Sequence, residues 1–261
     1  MTSGYGVFLP PNASSDEDKI ARLGQMTGLS QVDSKLILAS HLPRRVFTVK
    51  TASEGKDRVR FLRAAGFDGF IVSFDALARV RVPQIHSAAF SPEGIDFQPV
   101  GSFHREELRL VIHGEFITGH DIERTITTYP RGITGFQHPR TENSHDRSNT
   151  SEQFLHLYGE SHDKVFELRP HKFNFHCLGT DFALSAALNQ QAFIQRLKTL
   201  WPDLRYDDTL LKHPPILEDQ IVSDRVSGGN PLRIEVVERK QGNEEGAVRA
   251  SFLLALSILR R

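Results

Sequence analysis

The chain has 261 residues, 39% hydrophobic and 25% charged, which suits a globular protein with one large or two small cores. Lys+Arg and Asp+Glu balance at 32 each, so no global field draws in nucleic acid or an anionic membrane. Cys177 is the single cysteine, which excludes an internal disulfide framework and any cysteine-rich zinc motif.

The opening "MTSGYGVFLPPN" lacks the basic and apolar regions of a secretory leader. The closing "FLLALSIL" spans only eight residues, where a membrane-crossing helix needs about 20. One free cysteine fits a reducing compartment. The expectation is a cytoplasmic protein without membrane insertion.

In chain order, "YGVFLP" is a short apolar strand ended by Pro10 and Pro11. "NASSDEDKIARLGQMTG" offers Ser14 and Ser15 as caps and acids in the first turn. Ile20, Leu23 and Met26 recur at helical spacing, and Gly28 stops the run. A second helix starts at Ser30 and is closed by Pro43. "RRVFTVK" alternates as a strand, "TASEGKDRVRFLRAAGF" is a capped helix ending at Gly66, and "DGFIVSF" returns as a strand. The first region, 1–76, therefore predicts a small β-α-α-β-α-β domain.

The second region, 81–203, carries β-patterned segments in "GIDFQPV", "ELRLVIHGEFITG", "EQFLHLYG" and "KVFELRP". Between them, 137–152 has almost no apolar residue and predicts a long mobile hairpin loop. "DFALSAALNQQAFIQRLKTLW" predicts a long helix with Phe182, Leu184, Leu188, Ala192 or Phe193, Leu197 and Leu200 on one face, ended by Pro202. The third region, 204–261, predicts an extension docked on the rest. It has a strand in "LRIEVVE" and a final apolar run, "AVRASFLLALSILRR", readable as a docking helix or as a strand paired with 232–238. The fold class expected is α+β.

The first region, through "TGLSQVDSKLILASHLPRRV" and "RVRFLRAAGFDGFIV", resembles the C-terminal domain of the bacterial ribosomal stalk protein. That resemblance covers roughly 70 residues and implies the β-α-α-β-α-β sandwich just read. The family's factor-binding face maps here onto Ile20 and Lys35. Its other contact positions are Asp16, Glu17, Ala21 and Gly24, so the basic character of that face is missing. The protease adaptor that recognises protein N-termini is similar in topology, and its ligand site falls near Asn12 and His41. The acids that follow the family's Asn are Ala13 and Ser14 here. The second region, strands followed by one long helix, resembles a pleckstrin-homology-like barrel closed by that helix.

Chemistry is sparse. "RPHKFNFHCLG" places His171, His176 and Cys177 close in sequence. As a strand it would separate His176 from Cys177 by face, and His171 from Cys177 by about 20 Å. Zinc needs four ligands within about 2.3 Å, so Phe173, Phe175 and Cys177 are expected to line a core. No nucleophile elbow, phosphate loop or paired-histidine metal motif is present. The reading is a non-catalytic module that binds a protein or peptide, with no cofactor, no metal and no nucleic acid. The rival is a metal-dependent enzyme with a histidine site between the domains. The candidate ligand-binding residues are Asn12, Ile20, Lys35 and His41.

Overall fold

The computed structural model describes residues 4–11, 16–128, 140–161, 163–215, 218–229 and 232–260. With 35% helix and 41% strand, neither type dominates, and the strands include a strongly curled half-barrel sheet. The chain forms two compact units: residues 1–114, 153–214 and 247–261, and residues 115–152 and 215–246. No helix among the described residues is long and apolar enough to cross a membrane.

In the first unit, β1 (Tyr5–Leu9), α1 (Glu17–Thr27), α2 (Gln31–Leu38), β2 (Arg44–Val49), α3 (Ala52–Ala64) and β3 (Phe70–Ser73) follow the order the sequence predicts. Ser14 and Ser15 lie outside the described residues. Asp16 caps α1, its carboxylate accepting from the N–H groups of Asp18 and Lys19. Ser30 caps α2 and Thr51 caps α3 in the same way. Gly28 ends α1 at φ 74°, in the left-handed region that a side chain disfavours.

The three strands form an antiparallel sheet in the order β2-β1-β3. Successive side chains on a strand point to opposite faces, and here both faces are buried. Val7 and Leu9 join Ile20, Leu23, Leu38, Val59 and Leu62 under the helices. Phe8, Phe70 and Val72 face the other way, onto Phe252, Leu253 and Leu256. Those three come from α7 (Glu244–Leu259), so the final apolar run is a helix and not a strand.

The next elements are α4 (Phe74–Arg79), β4 (Gln84–Ile85), β5 (Ser87–Ser91), β6 (Gly94–Gln98) and β7 (Gly101–His104). The last three make an antiparallel sheet. β8 (Leu108–Thr128), β9 (Arg140–Gly159), β10 (Val165–Leu168), α5 (Ala186–Leu200), β11 (Arg205–Asp207) and α6 (Thr209–Lys212) follow. Ile95, Phe97, Phe103, Leu155, Leu157, Phe166 and Leu168 form one core, covered by Phe193, Ile194, Leu197 and Trp201 of α5 and its C-cap.

Residues 171–177 are not a strand. A turn leads to a single bridge at Asn174 and then to a 3-10 helix, Phe175–Asp181. Phe173 and Phe175 are nonetheless core, 6% and 3% exposed, with Cys177 packed against them.

The helix predicted from Phe182 begins four residues later, at Ala186. Gly179 turns the chain at φ 60°, and a side-chain contact to Ala183 holds the backbone out of the helix. The buried stripe is therefore Asn189, Gln190, Phe193, Ile194 and Leu197. Phe182, Leu184 and Leu188, expected inside, are 45%, 105% and 56% exposed.

The second unit is built from the far half of β8, the first half of β9, β12 (Glu218–Gly229) and β13 (Leu232–Gly242), in the order β12-β13-β8-β9. The loop expected over 137–152 is corrected here: residues from Arg140 onward are strand, and 137–139 lie outside the described residues. Lateral bonding makes the strand where apolar burial does not. Thr150 Oγ1 donates to the Thr118 carbonyl, Arg147 donates to Gln241 Oε1, and His145 Nε2 sits 3.1 Å from Asp121 Oδ1.

Candidate functional site

The residues singled out from sequence are not brought together. Asn12 lies outside the described residues. Ile20 is 3% exposed and belongs to the core beneath the helices. Lys35 is exposed on α2. His41 is exposed, and its ring stacks on that of His213 at 3.9 Å with the planes 2° apart. Among the described residues, no group of three or more His, Cys, Asp or Glu side chains is placed to hold a metal.

Two other arrangements stand out in the first unit. The first is the segment between the 3-10 helix and α5. Asn174 Oδ1 accepts from the His176 N–H at the helix start. Arg196 Nη1 donates to the carbonyls of Cys177 and Leu178 at 3.2 and 3.3 Å, and its guanidinium lies over Phe90. Asn189, 4% exposed, clamps Ala183 by both backbone groups. His176 meets the Phe182 ring edge-on. These contacts fix an irregular segment in one conformation while leaving Phe182, Leu184 and Leu188 in solvent. Burying such side chains is worth about 1.5–3 kcal/mol each, so their exposure forgoes folding energy that docking would recover. Burial also pushes the Cys177 thiol up to about 11, with Arg196 opposing, so it is not a nucleophile near neutral pH.

The second is a buried polar chain. β9 alternates Leu155 and Leu157 toward the core with Phe154, His156 and Tyr158 away from it. His156 lies directly opposite Glu167 in the antiparallel pairing of β9 with β10. His156 Nε2 is 3.2 Å from Glu167 Oε2, and Arg169 Nε donates to Glu167 Oε1 at 2.6 Å. On the far side, His156 Nδ1 is 2.8 Å from Ser251 Oγ of α7, which is also 3.0 Å from the Tyr158 hydroxyl.

Burial holds the His156 ring below its ordinary value, against the pull of Glu167. Burial alone would raise Glu167, but the hydrogen bonds and charges of His156 and Arg169 outweigh it and keep the carboxylate ionised. Serine, histidine and glutamate are the members of a hydrolytic triad. Here Ser251, His156 and Tyr158 are fully buried and Glu167 is 3% exposed, so no substrate reaches the hydroxyl. A cleft of about 520 Å³ on this unit is lined by other residues, among them Ser102, Ser161 and Lys164.

Sequence reasoning missed both arrangements. Ser251 and His156 are 95 residues apart, and the only local signal was a strand, "FLHLY", apolar on both faces. Comparison with family models, curated proteins and solved structures finds no match for this chain.

Proposed function

We propose that this chain is a non-catalytic binding and assembly protein whose partner, a protein or peptide, docks on Phe182, Leu184 and Leu188. The observation that carries this reading is a fully exposed leucine, Leu184, next to Ala183, whose two backbone groups are both clamped by Asn189. Preorganised apolar anchors lower the entropy cost of association. In this reading the core closed by α5 is a pleckstrin-homology-like barrel, and the 1–76 layer is a stalk-like domain carried beside it. Barrel folds of this type host many ligands, so the site and not the fold selects the partner.

The test is a photo-crosslinking residue placed at Leu184, compared with one at exposed Gln191 on α5. The expected result in the native host is a discrete crosslinked protein from position 184 that is absent from position 191. Equal, diffuse labelling from both positions would contradict the proposal.

A further inference from the structure

α7 has an unusual double duty. From Ala247 onward it buries Ala247, Ser251, Phe252, Leu253, Leu254, Ala255, Leu256 and Ser257. Phe252, Leu253 and Leu256 cover Phe8, Phe70 and Val72 of the three-stranded sheet. Two of its polar attachments are Ser251, within the buried chain, and Arg205, whose Nη1 donates to the Ile258 carbonyl at 2.8 Å.

The protons in that buried chain have one consistent order. Arginine only donates and an ionised carboxylate only accepts, so His156 Nε2 carries a hydrogen and donates to Glu167. In the neutral ring Nδ1 is then bare, and it accepts from Ser251 Oγ–H. The serine oxygen is left to accept from the Tyr158 O–H. Each group is satisfied, and each bond depends on the next.

A further proton on His156 goes to Nδ1 and reverses that order. Nδ1 then donates to Ser251, and the two contacts at that oxygen must hold three hydrogens. Either the Ser251 or the Tyr158 hydroxyl hydrogen is left without an acceptor, at a position with no solvent access. Losing such a partner costs about 1–3 kcal/mol. Glu167 is already shared with Arg169, so an imidazolium would compete with that guanidinium for one buried carboxylate. The charged groups acting on the ring are Glu167 on β10 and Arg169 just after it, with the Tyr158 phenol on β9. On α7 the contact is the uncharged Ser251, and Arg249 is the helix's nearest charge in sequence.

We propose that the Ser251–His156 contact is an acid-sensitive latch, in which proton uptake at His156 Nδ1 undocks α7 and uncovers the apolar face of Phe8, Phe70 and Val72. Because the docked ring titrates below its ordinary value of 6.5, docking is at full strength above about pH 6.5 and weakens as pH falls below it.

The experiment is amide hydrogen exchange on the full chain at about pH 7.5 and about pH 5.5, corrected for intrinsic rates. One proton linked to docking gives about tenfold per pH unit below 6.5. The latch therefore predicts that amides of 250–258 lose about tenfold protection at the lower pH while α5 amides hold theirs. In H156Q the amide oxygen accepts from Ser251 and the amide nitrogen donates to Glu167 without titrating, so the loss should vanish. Wild-type ring ¹⁵N shifts give a readout independent of that variant: the protonated ring should grow in step with loss of α7 protection. A ring that protonates with α7 still protected, an equal loss in α5, or an undiminished loss in H156Q would overturn the latch.

Discussion

The Asn189 side-chain amide pairs with both backbone groups of Ala183, its Oδ1 accepting from the N–H at 2.7 Å and its Nδ2 donating to the carbonyl at 2.8 Å. A side chain here does the work of a neighbouring strand, and it does so six residues ahead of itself. It shortens α5 at its start and holds Phe182 and Leu184 outside the helix, where both are exposed.

Asn189→Asp tests that relationship. One carboxylate oxygen still accepts from the Ala183 N–H, but the other now faces the Ala183 carbonyl with no hydrogen between them. The expected loss is about 1–3 kcal/mol of stability, the cost of a broken buried hydrogen bond. Exchange of the amides at 182–185 should rise, while those of 193–200 keep most of their protection. Denaturant unfolding and hydrogen exchange measure both.

The aromatic core around Phe193 makes a second prediction. Phe173 and Phe175 pack on that ring at 5.4 and 6.1 Å, whereas His171 and His176 are exposed. Phe173→Ala or Phe175→Ala should cost about 3–5 kcal/mol in urea unfolding, against less than about 1 kcal/mol for His171→Ala or His176→Ala. A histidine variant that unfolds like the phenylalanine variants would mean the segment holds something other than this core.

Cys177 supplies a third. With its thiol pushed up to about 11, the reactive thiolate is rarer than in free cysteine, whose value is about 8.5. Reaction with a disulfide reagent near neutral pH should be slower by about tenfold or more. Arg196→Gln removes the guanidinium that favours the thiolate and should slow it further.

α7 supplies a fourth. Phe252→Ala, which uncovers Phe8 and Phe70, should destabilise the chain by about 3–5 kcal/mol and raise binding of a hydrophobic dye. Val32→Ala on exposed α2 changes little, within about 0.5 kcal/mol, and serves as its control.

The N-terminal layer was legible because its signals are local. Ser30, Thr51 and Gly28 mark helix ends by short-range hydrogen bonds and backbone preference, and apolar spacing does the rest. Residues 140–152 were illegible as a strand because nothing in them alternates; neighbouring strands supply the order. The polar chain through His156 was illegible for a different reason, since Ser251 meets it only after α7 folds back. Leu184 and Leu188 misled because they are apolar, although at about 3.6 residues per turn Leu188 stands on the side of α5 opposite Leu197. The turn at Gly179 and the clamp by Asn189 keep Leu184 out of the helix altogether.

The most direct measurement compares stability with partner recovery in the double substitution F182S/L184S. Both side chains contribute little to the core, so the unfolding free energy should stay within about 1 kcal/mol of wild type. Recovery of the protein crosslinked from position 184 should fall by about tenfold or more, the factor that 1.4 kcal/mol of lost binding gives. Unchanged recovery of that protein at unchanged stability would contradict a function carried by this apolar projection.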